Sequence, residues 1–312
     1  MPISFSGLLW SFEMRNHWTL RIAAIAIILF GCISLVQASA QDDPNRAAIA
    51  QAIGRSGAPM PGNVFRIAFP RSDLRVRIGD VMIAPGLGLG GYAAFKMEGD
   101  TTLVVGDVVL LEREIQPVMT ALESNGFHIT ALHNHLRNET PHVMYMHFMA
   151  TGDAKTLASQ LRAALSLSKT PLGPLKKPSQ TEPWFSAAIQ AGLGYKGKAS
   201  NGILAVSVPR VENIMMQGYA IPPSMGVATA MNFEAVGTTR VATTGDFVLI
   251  GTEVNAVEQS LKSHGFEVTA LHHHMIGDNP QLYYMHFWSV QSAQAIAAGL
   301  KDALSHINVK AP

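Results

Sequence analysis

Thiols are nearly absent from this chain. Its one cysteine, Cys32, lies inside an apolar run at residues 22–36, so intrachain disulfides and cysteine-ligated zinc are both excluded. An excess of either charge is missing too: 23 lysines and arginines face 22 aspartates and glutamates. No stretch has the basic density of a phosphate-tracking surface, so nucleic acid is not an expected partner. Long hydrophobic runs are also lacking. Residues 22–36 make a run of fifteen, short of the roughly 20 a membrane-spanning helix needs.

That short run follows Arg15 and Arg21 and precedes Ala38-Ser39-Ala40, which is the form of an export signal covering residues 1–40. Its removal takes away Arg15, Arg21, Glu13 and the thiol, leaving a neutral chain with 21 basic and 21 acidic residues. The competing readings are a membrane anchor and lipidation of Cys32, because Leu29-Phe30-Gly31-Cys32 loosely resembles a lipoprotein box. The expected location is periplasmic or secreted. Membrane contact is expected only through the signal or a lipid anchor at Cys32.

What the chain has in quantity is histidine, twice over. Ten of its 12 histidines fall in two windows that are copies of each other. His133, His135 and His147 follow the pattern His-x-His-x11-His, and His272, His274 and His286 repeat it 139 residues later. The copying extends further: between residues 106–148 and 245–287, 20 of 43 positions are identical without a gap, which decides for duplication over chance. Phe69-Pro70-Arg71 and Val208-Pro209-Arg210 correspond as well. Four prolines and Lys176-Lys177 make residues 171–183 a stiff polar connector. The expected organisation is a first repeat domain at 41–170, the linker, and a second repeat domain at 184–312.

Within each copy the patterns predict an α+β fold, a mainly antiparallel sheet with flanking helices. In the first copy, strands are expected at 64–69, 81–83, 92–96 and 102–111, and helices at 47–53, 114–124 and 153–165. Residues 127–136 and 143–148 read as a hairpin separated by Pro141. Gly86-x-Gly88-x-x-Gly91 superficially matches a dinucleotide fingerprint, but the second copy lacks it and a strand follows, so it reads as a turn.

The spacing of the histidines suits a metal. Two residues two apart on a strand share a face, and an odd-residue turn brings His147 to the same face, for example opposite His133. Three imidazoles can then meet one ion at about 2.0–2.1 Å and leave a fourth position open. The expected ligands are His133, His135 and His147 in one site and His272, His274 and His286 in its duplicate. A divalent metal is the expected cofactor, with zinc the first guess; copper, nickel and iron also accept imidazole. A structural histidine cluster is the bland alternative. Tyr145 and Tyr284, two residues before the third histidines, share their face and are acid–base candidates. Glu114 and Glu253 are the other catalytic candidates, although a carboxylate at a helix start is also favoured by the helix dipole. Asp107 and Asp246, each after a glycine, read as Asx-turns rather than ligands. Arg71 with Asp73, and Arg210 with Glu212, read as intradomain ion pairs.

At Thr130-Ala131-Leu132-His133-Asn134-His135, Met146-His147-Phe148 and Met285-His286-Phe287-Trp288 the chain resembles the LppY/LpqO family of exported, often lipoprotein-like bacterial proteins. The resemblance spans essentially the whole mature chain. It implies export and a duplicated domain of unknown function, and no reaction. His273 departs from the asparagine that the first copy keeps at Asn134. In coordination alone, His-x-His with a later histidine also resembles acetolactate decarboxylases and α-type carbonic anhydrases. Two functions remain open: an exported metalloprotein catalysing a metal-assisted hydrolysis or lyase reaction on a small molecule, and a non-catalytic envelope protein binding a metal or ligand.

Overall fold

Residues 102–111 are buried at every position, and a strand with no solvent side needs cover on both of its faces. A computed structural model, which describes Met1 and residues 44–312, shows where that cover comes from. The apolar run of the export signal and Cys32 lie outside the described residues.

The first repeat runs α1 (Pro44–Ile53), β1 (Ala58–Met60), β2 (Val64–Pro70), β3 (Arg77–Ile78), β4 (Val81–Met82), α2 (Pro85–Gly88), β5 (Gly90–Glu98), β6 (Thr101–Leu111), α3 (Glu112–Ser124), β7 (His128–His133), β8 (Glu139–Thr140), β9 (Val143–Gly152) and α4 (Ala154–Leu165). The second runs α5 (Ser186–Leu193), β10 (Gly197–Ser200), β11 (Ile203–Pro209), β12 (Ile214–Met216), β13 (Tyr219–Ile221), a 3-10 turn (Pro223–Met225), β14 (Ala228–Val236), β15 (Arg240–Ile250), α6 (Val254–Ser263), β16 (Glu267–His272), β17 (Asp278–Asn279), β18 (Leu282–Gln291) and α7 (Ala293–Leu304). Each repeat therefore builds one six-stranded antiparallel sheet, ordered β1-β2-β5-β6-β9-β7 and β10-β11-β14-β15-β18-β16. Each adds a three-stranded ribbon, β4-β3-β8 and β13-β12-β17. The expected α+β class with mainly antiparallel sheets is what forms. The glycine-rich turn expected at 86–91 is the single-turn helix α2 followed by β5.

Alternation along the strands sorts side chains between two cores. On β6, Val104, Val108 and Leu110 meet the helices of their own repeat, with Met146 and Phe148 of β9. Their neighbours Leu103 and Val105 point the other way, into a core shared with Met216, Ile221, Val248 and Tyr284 of the second repeat. A second shared core joins Val109, Leu111 and Tyr145 to Ile203, Ala242 and Trp288. The layers are helices, sheet, sheet, helices. Pro44–Pro312 accordingly forms one compact unit, and the connector at 171–183 links two halves that bury each other's inner faces. Met216 is fully buried in that seam, so truncating it to alanine would cost about 2–5 kcal/mol and weaken the contact between repeats. Among the described residues no helix is long and apolar enough to cross a membrane.

Candidate metal centre between the repeats

β9 presents Tyr145, His147 and Met149 to the inner face, because Met146, Phe148 and Ala150 fill the outer core. On the adjacent strand, Asp107 stands directly opposite His147, and Asp246 opposite His286. Both aspartates sit in mid-strand, Asp107 buried and Asp246 half-buried with its Oδ1 covered, which corrects the Asx-turn reading. The glycine before each explains how the strands come close enough. A Cβ at Gly106 would meet the Tyr92 carbonyl oxygen at 2.7 Å, and one at Gly245 would collide with the Ala230 carbonyl and the Phe287 ring. The sequence marked the position, since Gly-Asp recurs in both copies, but not its use.

The hairpin register differs from expectation. A bulge between Ile129 and Ala131 places Ala131, not His133, opposite His147, and His133 opposite Tyr145. Parity is preserved, so His133 still shares the face of His147. β7 ends at His133, and His135 lies beyond it, its ring stacked on Tyr145 with centroids 3.4 Å apart. The second copy repeats the arrangement, with His274 on Tyr284 at 3.6 Å.

The larger difference concerns how many centres there are. Two separate trios were expected, and the fold instead lays them against each other across the seam. His133 stacks on His272 at 3.5 Å, His135 on His286 at 3.8 Å, and His147 on His274 at 3.8 Å. Exchanging the copies maps the second contact onto the third, so the cluster has a local two-fold. Ligand atoms of His133, His135, His274 and His286 all lie within 4.8 Å of one another, as do those of Asp107, His135 and His147. The first of these groups draws on both repeats.

Seven buried side-chain atoms of this cluster lack a hydrogen-bond partner: Nε2 of His133, His135, His147 and His286, Nδ1 of His272, and Oδ1 of Asp107 and Asp246. Each such orphan left unanswered costs about 1–3 kcal/mol, and one shared cation could answer several of them together. The separations fit a cation. His147 Nε2 and Asp107 Oδ1 are 3.8 Å apart, as are His286 Nε2 and Asp246 Oδ1, while His274 Nδ1 and Asp246 Oδ2 are 3.9 Å apart. These gaps exceed a hydrogen bond, but two ligands at about 2.0–2.2 Å from one ion can span them. His272 and His274 place their Nε2 atoms 2.8 Å apart.

Burial also sets the protonation states. It lowers the pKa of all six imidazoles, that of His133 to about 4. The rings are therefore neutral near pH 7, the form that binds metal. Burial raises Asp107 to about 8 and Asp246 well above its ordinary value. An adjacent cation favours the ionised carboxylates.

A cavity of about 270 Å³ opens beside the cluster, lined by His135, His147, His274, His286 and both aspartates. Of the sequence-derived acid–base candidates, Tyr145 lines it and donates its hydroxyl proton to the Gly88 carbonyl. Tyr284 has its hydroxyl buried without a partner. Glu114 and Glu253 are elsewhere. Glu114 accepts from Arg71 (2.7 and 3.3 Å) and from the backbone N–H of Leu111 and Lys169. Glu253 does the same with Arg210 (2.7 and 3.0 Å), Ile250 and Asn308. Their oxygens are saturated and the cavity walls do not include them; they tie helix starts to buried arginines. The expected Arg71–Asp73 and Arg210–Glu212 pairs form at 2.9 and 3.0 Å.

Asn134 and His273 occupy matching positions with different partners. Asn134 donates to the carbonyls of Leu136 and, across the seam, Thr269. His273 is 2.8 Å from the Leu282 carbonyl through Nδ1. Neither belongs to a ligand group.

A sequence profile described as Domain of Unknown Function (DUF1259) matches residues 47–167 and again 187–306. No curated protein matches the chain. Among solved structures, EtuB from Clostridium kluyveri matches with 9% identity over 80% of this chain and 90% of its own, at a TM-score of 0.19. A trimeric bacterial microcompartment shell protein, PduB, matches with 12% identity, the same coverage and the same TM-score. Scores this low carry no argument about this fold.

Proposed function

This chain belongs to the Domain of Unknown Function (DUF1259) family, in two tandem copies, and we propose that the copies jointly form a metalloprotein with one composite centre. The observation that carries this is the set of seven orphaned ligand atoms, contributed by both repeats to a single seam. His133, His135, His147, His272, His274 and His286, with Asp107 and Asp246, are the proposed ligand supply; zinc suits their nitrogen and oxygen donors. Imidazole and carboxylate leave other first-row metals able to bind in its place.

A cation there would act as a Lewis acid and lower the pKa of bound water, the chemistry of metal-assisted hydrolysis or lyase reactions. The chain's own contribution is a set of rings held by stacking on the tyrosines. Burial holds Tyr284 protonated with its hydroxyl unpartnered, but outside the lining of the cavity, whereas Tyr145 lines the cavity and already donates its proton to Gly88. The neighbouring cavity, about 270 Å³, gives a small molecule somewhere to sit and so favours an enzyme or ligand-binding protein over a purely structural histidine cluster. The LppY/LpqO resemblance and the signal-like residues 1–40 support the same protein acting in the cell envelope or outside it.

Elemental analysis of protein exported by its own host tests the metal. Stoichiometric metal is expected, and a folded His135→Ala/His274→Ala variant is expected to lose it. Unchanged loading in that variant would remove the centre.

A further inference from the structure

The cavity is not symmetric, although its histidines are. Strand registers place Arg66 opposite Ala94 and Tyr92 opposite Asp107 in the first repeat. The same ladder positions in the second repeat hold Ala205 and Ala230, opposite Asn232 and Asp246. The first repeat therefore brings a guanidinium to the inner face where the second brings a methyl group.

Arg66 lines the same cavity as the histidines and aspartates. Its guanidinium lies over the Tyr92 ring at 3.7 Å from the centroid, a cation–π contact that fixes its plane. One nitrogen donates to the Ser224 carbonyl of the opposite repeat at 2.9 Å. No carboxylate among the described residues lies within ion-pair distance of it; the buried arginines Arg71 and Arg210 each have two. A guanidinium has five N–H donors, and this one is held flat against a wall with most of them uncommitted. The geometry points to Arg66 as the anchor for an oxyanion: we propose that the cavity takes a small ligand bearing a carboxylate or phosphate. The anionic group pairs with Arg66, and the rest of the ligand faces His135, His147, His274 and His286. A cavity of about 270 Å³ falls just below the usual range of ligand pockets, which starts at about 300 Å³, and limits the ligand to a few carbon atoms.

This inference rests on the composite metal centre for the second half of the ligand's contacts, so metal content and anion binding are read separately. Lactate, inorganic phosphate and uncharged lactamide are titrated calorimetrically into the full chain, as isolated and after chelation. Binding of lactate or phosphate is expected, with lactamide weaker by about tenfold or more and with the two anions showing which oxyanion is preferred. Arg66→Ala is expected to weaken the anion by about tenfold or more at unchanged metal content, and Arg66→Lys to restore part of the loss. Anion affinity unaltered in Arg66→Ala overturns the proposal, as does failure of both anions to bind the wild-type chain. A drop in melting temperature with no change in anion affinity would make Arg66 only a clamp between repeats, and also overturns it. Absence of metal together with Arg66-dependent anion binding would sink the metal centre alone.

Discussion

The two repeats agree in their ligands and disagree in the wall around them. Every histidine and aspartate of the cluster has its counterpart, and so do the buried Arg71–Glu114 and Arg210–Glu253 pairs at 2.7 Å. Arg66 and Tyr92, by contrast, are matched by Ala205 and Ala230 at the same ladder positions, and the hydroxyl of Tyr145 is bonded where that of Tyr284 is not. The candidate ligands are held in common, while Arg66 and Tyr92 of the cavity wall and Asn134 at the seam have no like counterpart, and this is the pattern expected of a duplicated scaffold in which a shared centre carries a one-sided binding surface.

The equivalence of the two ion pairs is the strongest part of that comparison to break. Arg71→Ala and Arg210→Ala should each cost about 3–5 kcal/mol, since each leaves a buried carboxylate uncompensated. Urea unfolding of the two variants should give matching losses, and a loss confined to one repeat would end the equivalence. Gly106→Ala and Gly245→Ala come next, at about 1–3 kcal/mol each from crowding against backbone oxygens. Two unaltered midpoints would show that the strands can part without cost.

Asn134 sharpens the difference between copies. Its bond to the Thr269 carbonyl crosses the seam, so Asn134→Ala should cost about 1 kcal/mol. His273 bonds within its own repeat, so His273→Asn should change stability by less than about 0.5 kcal/mol. Thermal melts that rank the two the other way would contradict this assignment. The smallest effect is one of pH. Burial raises the Glu114 carboxyl, but hydrogen bonds from Arg71, Leu111 and Lys169 outweigh it and hold the pKa below its ordinary value. Its stabilisation is thus complete above the unfolded glutamate value of about 4.3 and is lost as pH falls through the lower folded value. The acid limb of stability should be shallower in Glu114→Gln than in the wild type; parallel limbs would contradict it.

Much of this was legible in the residues. Runs rich in β-branched and apolar residues marked β6 and β9, and parity alone put His133 and His147 on one side even though the bulge moved their register by two. Duplication was plain from the copied windows. Hidden from the sequence was what each inner face would meet. Strand periodicity distinguishes two faces but does not say that the other repeat covers one of them, so two trios were expected where one cluster forms. Asp107 was misread for a local reason: Gly-Asp is a turn signal, and only the ladder shows that its glycine serves close approach to Tyr92 and Phe148. Glu114 showed the reverse, a helix-start carboxylate whose saturating partners are far away in sequence.

The composite centre is tested most directly by damaging one repeat only. Metal per chain is measured by elemental analysis in folded His135→Ala and, separately, in folded His274→Ala. If both repeats feed one cluster, either substitution should reduce bound metal to below about a quarter of the wild-type amount, because His135 belongs to both ligand groups and His274 to the one that draws on both repeats. Retention of half the metal in each variant would mean two independent sites, and would contradict a centre assembled at the seam.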